Sequence, residues 1–275
     1  MKTKLIALDL DGTLLLPDKT LSARTRAALD AAAAKGVLIV PATGRMFRAL
    51  PDFLRTLPYL RYAITINGAQ VYDAAEDRVL HRADLALDTA LEIYDVMEGL
   101  DVAYDCYRDG KAYMERRFLD HLEDYIPNDP PVLAMVRRVR LPVDDLDAML
   151  RADDRPIQKL QCFFADISRR APMIAMFAER FPTTAVSSSL GGNIEINDGA
   201  ARKGCALQAL CTALGIDIAE TVAFGDGIND IDMLRAAGTG VAMANADAAV
   251  KAAADTETAA NTEDGVAQYI EKYIL

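Results

Sequence analysis

The stretch Leu5-Ile6-Ala7-Leu8 is apolar at every position and runs straight into Asp9-Leu10-Asp11-Gly12-Thr13. A half-exposed strand alternates apolar and polar residues, so an unbroken apolar run belongs to a parallel strand covered on both faces. Val37-Leu38-Ile39-Val40 supplies a second such strand and Ala63-Ile64-Thr65-Ile66 a third. Between the first two lies a helical stretch from Ser22 to Lys35, with Ser22 as N-cap and Gly36 just past its end. The same alternation returns late in the chain. A helix from about Arg202 to Leu214 stops at Gly215 and is followed by the strand Val222-Ala223-Phe224. Then come the helix Asp230–Ala237 before Gly238, the strand Gly240–Met243, an alanine-rich helix Asp247–Ala254 and a final helix Glu263–Tyr273. This order predicts an α/β core: a doubly wound, mainly parallel, Rossmann-like sheet with right-handed crossovers.

Between about Asp84 and Asp198 the texture changes. Half-alternating aromatic segments (Val102–Tyr107, Lys111–Glu115, Gln158–Phe164) mix with helices such as Arg169–Phe181, and prolines 127, 130, 131, 142 and 156 punctuate the loops. Such a pattern fits an inserted α+β module with an open antiparallel sheet. The expected organisation is a discontinuous core of residues 1–83 and 199–275 around a cap domain of residues 84–198. Gly191-Gly192 is either a hairpin turn or a substrate-facing loop of that cap. The cap's Tyr and Met residues read as core rather than recognition elements.

Composition removes several functions. Net charge is −11, with no basic stripe to neutralise phosphates, so nucleic acid and anionic membranes are poor partners. No run approaches the roughly 18 apolar residues of a membrane span, and the first residues lack the long apolar stretch of a signal peptide. Cys106, Cys162, Cys205 and Cys211 show no CxxC spacing and read as reduced thiols of a cytoplasmic protein. His81 and His121 stand alone, which argues against a zinc site or a histidine triad.

In an open α/β sheet, ligands bind beyond the carboxyl ends of the strands. Those ends carry Asp9-Leu10-Asp11-Gly12-Thr13, Thr43-Gly44-Arg45, Asn67-Gly68 and Gly225-Asp226-Gly227-Ile228-Asn229-Asp230. Carboxylates, hydroxyls and glycines thus converge on one edge. Asp9 and Asp11, two apart in extended chain, point to the same side, and Gly12 lets the backbone turn away. Carboxylates so close repel unless a cation or a proton intervenes. A hard cation with oxygen ligands resolves this, and Asp226 is placed to complete a Mg²⁺ site. Asn67 and Gly68 read as turn residues.

These segments resemble the motifs of the haloacid dehalogenase superfamily, in particular its Cof-type phosphatases of subfamily IIB. Asp9-Leu-Asp-Gly-Thr13 is similar to the first motif, Thr43-Gly-Arg45 to the second, Lys203 to the third and Gly225-Asp-Gly-Ile-Asn-Asp230 to the fourth. Gly240-Val-Ala-Met-Ala-Asn-Ala246 and Asn261-Thr-Glu-Asp-Gly-Val266 also resemble the subgroup. The approach to Lys203, Asp198-Gly-Ala-Ala-Arg202, departs from the more usual Gly-Val-Ser type.

The resemblance implies a Mg²⁺-dependent phosphatase acting on small phosphorylated metabolites, such as sugar phosphates or phosphorylated cofactors. Asp9 would be the nucleophile that forms an aspartyl-phosphate, and Asp11 the general acid and base. Asp9 and Asp226 would supply carboxylate ligands to the metal, and Asp11 its backbone carbonyl. Thr43 and Lys203 would hold the phosphoryl oxygens, assisted by the amides of Leu10 and Gly44. Asp230 would orient Lys203 or a metal-bound water, and Asn229 would contact phosphate or metal. Arg45 is either a substrate contact or a structural ion-pair partner. The cap would close over the site and select the leaving group. An aspartate at position 11 separates the chain from the ion pumps of the superfamily, which carry threonine there. A phosphomutase shares that aspartate and would give isomerised sugar phosphate without free phosphate. A sensor would bind without turnover. A monomer or small homo-oligomer is expected.

Overall fold

The computed structural model describes residues 2–127, 129–189 and 192–275. The chain divides into two compact units, Met1–Arg82 with Arg202–Leu275, and Ala83–Ala201. In chain order, the first unit opens with strands β1 (Leu5–Leu8) and β2 (Leu38–Pro41), then β3 (Tyr62–Thr65), β4 (Gln70–Asp73) and β5 (Arg78–Arg82). The second unit contributes β6 (Ala103–Arg108), β7 (Lys111–Glu115), β8 (Arg140–Val143), β9 (Ile157–Phe163), β10 (Thr184–Ser187) and β11 (Asn193–Asp198). The chain then returns to the first unit with β12 (Thr221–Gly225), β13 (Thr239–Met243) and β14 (Thr256–Thr258).

The first unit is built on a five-stranded sheet in the order β14-β13-β12-β1-β2, with every neighbouring pair parallel. Leu5, Ile6, Ala7 and Leu8 are all fully buried, as an apolar run covered on both faces requires. Ile6 and Leu8 pack into one apolar cluster with Leu29 and Ile270, while Leu5 and Ala7 pack into another with Leu207 and Leu210. From β1 the chain first moves outward to β2, and it later comes back to β12 on the other side of β1. The order of the strands therefore reverses between β1 and β12, and their carboxyl ends border the crevice where such sheets bind ligands.

Helix boundaries follow local signals. Ala23–Ala34 is capped by the Ser22 hydroxyl, which accepts from the Thr25 amide, and Gly36 beyond its end has φ +83°. Lys203–Leu214 ends at Gly215 in the left-handed region, where a residue without Cβ meets no steric penalty.

Two expectations change. The third apolar run does not join the parallel sheet as a full strand. β3 heads a separate antiparallel sheet, β3-β4-β5, and touches the main sheet through one parallel bridge, Ala42 to Ile64. Ile66 and Asn67 have φ of +54° and +59°, which ends the strand and turns it back into β4. A buried run reports burial but not its partner. The alanine-rich helix shortens to Ala248–Lys251, because the chain is drawn into β14 beside β13.

The second unit holds a six-stranded sheet in the order β10-β11-β9-β6-β7-β8, antiparallel except for the parallel pair β7 and β8. Cys106, Leu160, Cys162, Ile194 and Ile196 pack in one cluster with Ile93, Tyr94 and Phe177 of the helices Leu87–Glu98 and Arg170–Arg180. Tyr104, Met97, Met114 and Met173 belong to this core too. Gly199 and Ala201 stay with this unit, their amides donating to Thr183 O and Asp198 O. Gly191 lies outside the described residues.

Candidate active site

Asp9 continues the line of β1, its amide donating to Phe224 O (3.0 Å), which ties it to the end of β12. Beyond it the chain coils: Leu14 N donates to Asp9 O and Leu15 N to Leu10 O. Leu10, Leu14 and Leu15 are buried and anchor the turn in the core. Gly12 sits at φ +91°, and a Cβ there would lie 2.2 Å from Asp226 Oδ2. That space is what lets the Asp226 carboxylate approach the turn, where Thr13 Oγ1 donates to Asp226 Oδ1 (2.6 Å).

Lys203 opens its helix with a fully buried ammonium. Its Nζ donates to Asp9 Oδ1 and to Asp230 Oδ1, both at 2.6 Å. A buried cation is tolerated only when paired, and two carboxylates on one ammonium satisfy that condition. Asp230 Oδ2 in turn accepts from the amides of Asp226 (3.1 Å) and Gly227 (2.9 Å). Asp230 thus fastens Lys203 to the loop after β12. Asp9, Asp226 and Asp230 each bring a carboxylate oxygen within 4.8 Å of the others. One lysine does not balance three such groups. Burial first, then the Asp230 charge, holds Asp9 well above the usual carboxylate range despite Lys203. Burial likewise pushes Asp226 up to about 6, against the Thr13 hydrogen bond and with repulsion from Asp230.

This surplus is the test of a metal. Asp230 already accepts from Lys203 and two amides, which leaves the Asp9 and Asp226 carboxylates facing the same space. Oxygen donors of this charge and spacing fit a hard divalent cation such as Mg²⁺.

Asp11 stands outside that trio. Arg45 grips its carboxylate in a fork, Nε to Oδ2 (3.0 Å) and Nη2 to Oδ1 (2.6 Å), and Lys19 Nζ reaches Oδ1 at 2.8 Å. Burial alone would raise this carboxyl, but the two cations overcome it and hold Asp11 below the usual range. Of the two readings of Arg45, the ion pair is the one present, and its partner is Asp11. Lys19 was missed by sequence reasoning. It sits at φ +63° in a turn in which Lys19 N donates to Leu16 O and Leu16 N to Thr20 O, and nothing local marks its target.

Thr43 is buried beyond the end of β2, with its amide on Ile64 O and its Oγ1 accepting from Arg45 N (3.2 Å). Gly44 lies between these two residues. Asn67 N donates to Thr43 O and Ile66 N to Arg45 O, so the β3 turn buttresses this loop. Gly68, at φ +97°, would place a Cβ 2.3 Å from Arg202 O, and its absence lets the start of the Lys203 helix come close. Asn229 is half-buried in the short turn Ile228–Asp230 after Asp226.

Three more groups were not foreseen. Asp232 Oδ2 accepts from Gly204 N at the start of the Lys203 helix. Asn245 Nδ2 donates to Gly12 O (2.8 Å), and Asn261 Nδ2 to Leu15 O (2.7 Å). Both asparagines lie in C-terminal segments already singled out by resemblance, but their targets are more than 200 residues away.

Residues 6–270 match the family described as haloacid dehalogenase-like hydrolases. The chain is 32% identical over 285 residues, all of both chains, to a pyridoxal phosphate phosphatase of Escherichia coli (strain K12). It is 29% identical over 287 residues, 99% of each chain, to a 5-amino-6-(5-phospho-D-ribitylamino)uracil phosphatase of Bacillus subtilis (strain 168). Its fold is similar to that of a haloacid dehalogenase subclass IIB sugar phosphatase, with a TM-score of 0.81, 25% identity, and coverage of 99% of this chain and 100% of that one.

Proposed function

The chain belongs to the haloacid dehalogenase-like hydrolases, as a phosphatase of subclass IIB, and from that premise we propose that it hydrolyses monophosphate esters of small metabolites through a phosphoryl group carried on Asp9. The observation that carries this reading is the buried Lys203 ammonium joining Asp9 to Asp230 beside Asp226. Three carboxylates and a lysine at the strand ends form a basin suited to a phosphoryl group only when further positive charge is supplied. Asp9 and Asp226, with the Asp11 carbonyl, would hold a Mg²⁺ ion, which would supply that charge.

In the first step Asp11, released from Arg45 and Lys19 and carrying a proton, gives that proton to the departing ester oxygen while an Asp9 oxygen bonds to phosphorus. In the second, water gives a proton to Asp11, its oxygen bonds to phosphorus, and the Asp9–phosphorus bond breaks. Lys203 and Thr43, with the amides of Leu10 and Gly44, hold the phosphoryl oxygens during both. Positioning and charge stabilisation suffice for such chemistry. Asn229 would contact the phosphate or the metal. The relatives' names differ in the organic part (a pyridoxal, a ribitylamino-uracil, a sugar) and share the phosphate. The substrate class is accordingly a small polar phosphomonoester. Among the described residues no helix is long and apolar enough to cross a membrane, and the four free cysteines suit a reducing cytoplasm.

The test is hydrolysis of 4-nitrophenyl phosphate with and without Mg²⁺. The parent protein releases phosphate only with the metal, and Asp9→Asn, which removes the nucleophile together with a proposed metal carboxylate and one partner of Lys203, releases none. Undiminished turnover by that variant refutes the assignment.

A further inference from the structure

The turn that carries Asp11 is held internally by the Leu14 and Leu15 amides and by the three buried leucines Leu10, Leu14 and Leu15. Those bonds leave the carbonyls of Gly12 and Leu15 pointing elsewhere, and both are taken by asparagine side chains. Asn245 lies two residues past β13, at the carboxyl edge of the sheet, and Asn261 shortly before the last helix, Gly265–Tyr273. Asn245 Nδ2 donates to Gly12 O (2.8 Å), Asn261 Nδ2 to Leu15 O (2.7 Å), and Asn261 N to Asn245 Oδ1 (3.1 Å). The three bonds form one linked clamp across the turn.

A purely structural role accounts poorly for this clamp. Asn245 is exposed, and a hydrogen bond in such a setting is worth only about 1 kcal/mol. The clamp instead acts where the turn is softest, at Gly12, a residue at φ +91° with no side chain to stiffen it, directly after Asp11. Arg45 and Lys19 hold the Asp11 carboxylate in this structure, and the carboxyl must leave both cations to reach a leaving oxygen. Once it does, the backbone of the turn is what still fixes its position.

We propose that Asn245 and Asn261 are positioning residues of the reaction: by gripping the Gly12 and Leu15 carbonyls they set the turn that aims Asp11 at the leaving oxygen. The inference rests on the phosphatase reading above. The step concerned is the first, in which the Asp9–phosphorus bond forms, the ester oxygen departs and Asp11 gives it a proton. Misplacing a catalytic group by about an ångström costs on the order of a hundredfold in rate.

The experiment compares kcat/KM for phenyl phosphate and 4-nitrophenyl phosphate, with Mg²⁺, in the parent, Asn245→Ala, Asn261→Ala and the double variant. In a mechanism with a covalent intermediate this ratio reports only steps up to phosphoryl transfer to Asp9. Phenolate needs a proton as it leaves far more than nitrophenolate does. Each single variant should lose roughly five- to tenfold more on the phenyl ester than on the nitrophenyl ester, within the range of general acid catalysis. The double variant should lose little beyond the larger single loss, because the two residues form one device. Melting temperatures should stay within about 4 °C of the parent. Equal losses on both esters, as a direct substrate contact or simple loosening of the fold would give, overturn the proposal, and so does no loss at all. Asp11→Asn is the reference. If it shows no preference between the esters, the acid role of Asp11 has failed and the proposal with it; if the parent is inert on both, the phosphatase reading itself has failed.

Discussion

A methyl group at position 12 would meet Asp226 Oδ2 at 2.2 Å, on a backbone at φ +91° that L-residues avoid. Asp226 has little freedom to yield, because Thr13 holds its other oxygen at 2.6 Å. Gly12→Ala is therefore expected to cost about 1–3 kcal/mol in urea unfolding and to weaken activation by Mg²⁺, since the carboxylate it displaces is a proposed ligand. A variant with parental stability and metal response would show that the turn relaxes freely. The glycine was legible in the sequence as the residue that lets the chain turn after Asp11. Its contact with a carboxylate 214 positions later was not. Arg45 makes the same point: residue type allowed substrate contact or ion pair, and the fork to Asp11 depends on where the β2 loop ends up.

At the scale of elements, the sheet of the second unit carries charge as well as apolar packing. Cys106, Leu160, Cys162 and Ile194 enter the helix-packed cluster, while their strand neighbours Asp105, Lys159 and Glu195 are buried too. Arg140 of β8 reaches Asp105 at 2.8 Å, Lys159 reaches Glu195 at 2.7 Å, and the Tyr107 ring lies 4.1 Å from the Lys159 ammonium. Burial pushes the Asp105 carboxyl up, with Arg140 and Lys159 opposing. Removing one partner strands a buried charge, so Arg140→Met should destabilise by about 3–5 kcal/mol in urea unfolding. Asp105→Leu in that background should recover much of the loss. A single variant as stable as the parent would mean that the pair is solvated. The half-alternating pattern of β6 and β9 marked them as strands, but the pattern suggested an open face. Both faces are buried, which periodicity cannot distinguish from a solvated polar face.

At the scale of the molecule, the carboxylates of the first unit give stability a pH dependence. Asp226 lies near 6 and Asp9 is raised as well, so in the metal-free protein both bind protons more tightly folded than unfolded. Groups of this kind stabilise fully below their unfolded values, near 3.8, and lose that contribution as pH rises through the folded ones. For Asp226 the loss is at most about 3 kcal/mol before solvent screening trims it. Metal-free melting temperature should thus fall between pH 5 and pH 7.5, with acid denaturation from other groups confined to lower pH. Mg²⁺ binds the ionised form, so it should raise the melting temperature clearly at pH 7.5 and little at pH 5. An equal Mg²⁺ effect at both values would place the ion elsewhere.

What this sequence determined alone is what local chemistry encodes. Unbroken apolar runs imply strands buried on both faces, Ser22, Gly36 and Gly215 bound helices, and the acidic, glycine-containing segments fall at strand ends. Tertiary structure decided the partners. It set β3 apart in its own hairpin sheet, drew residues 256–258 into a fifth parallel strand, and brought Lys203 onto Asp9, Arg45 onto Asp11 and Asn261 onto the Leu15 carbonyl. The reason is physical. Backbone conformation responds to the nearest few residues, whereas a hydrogen bond between groups tens to hundreds of positions apart exists only once the packed sheet has fixed both ends.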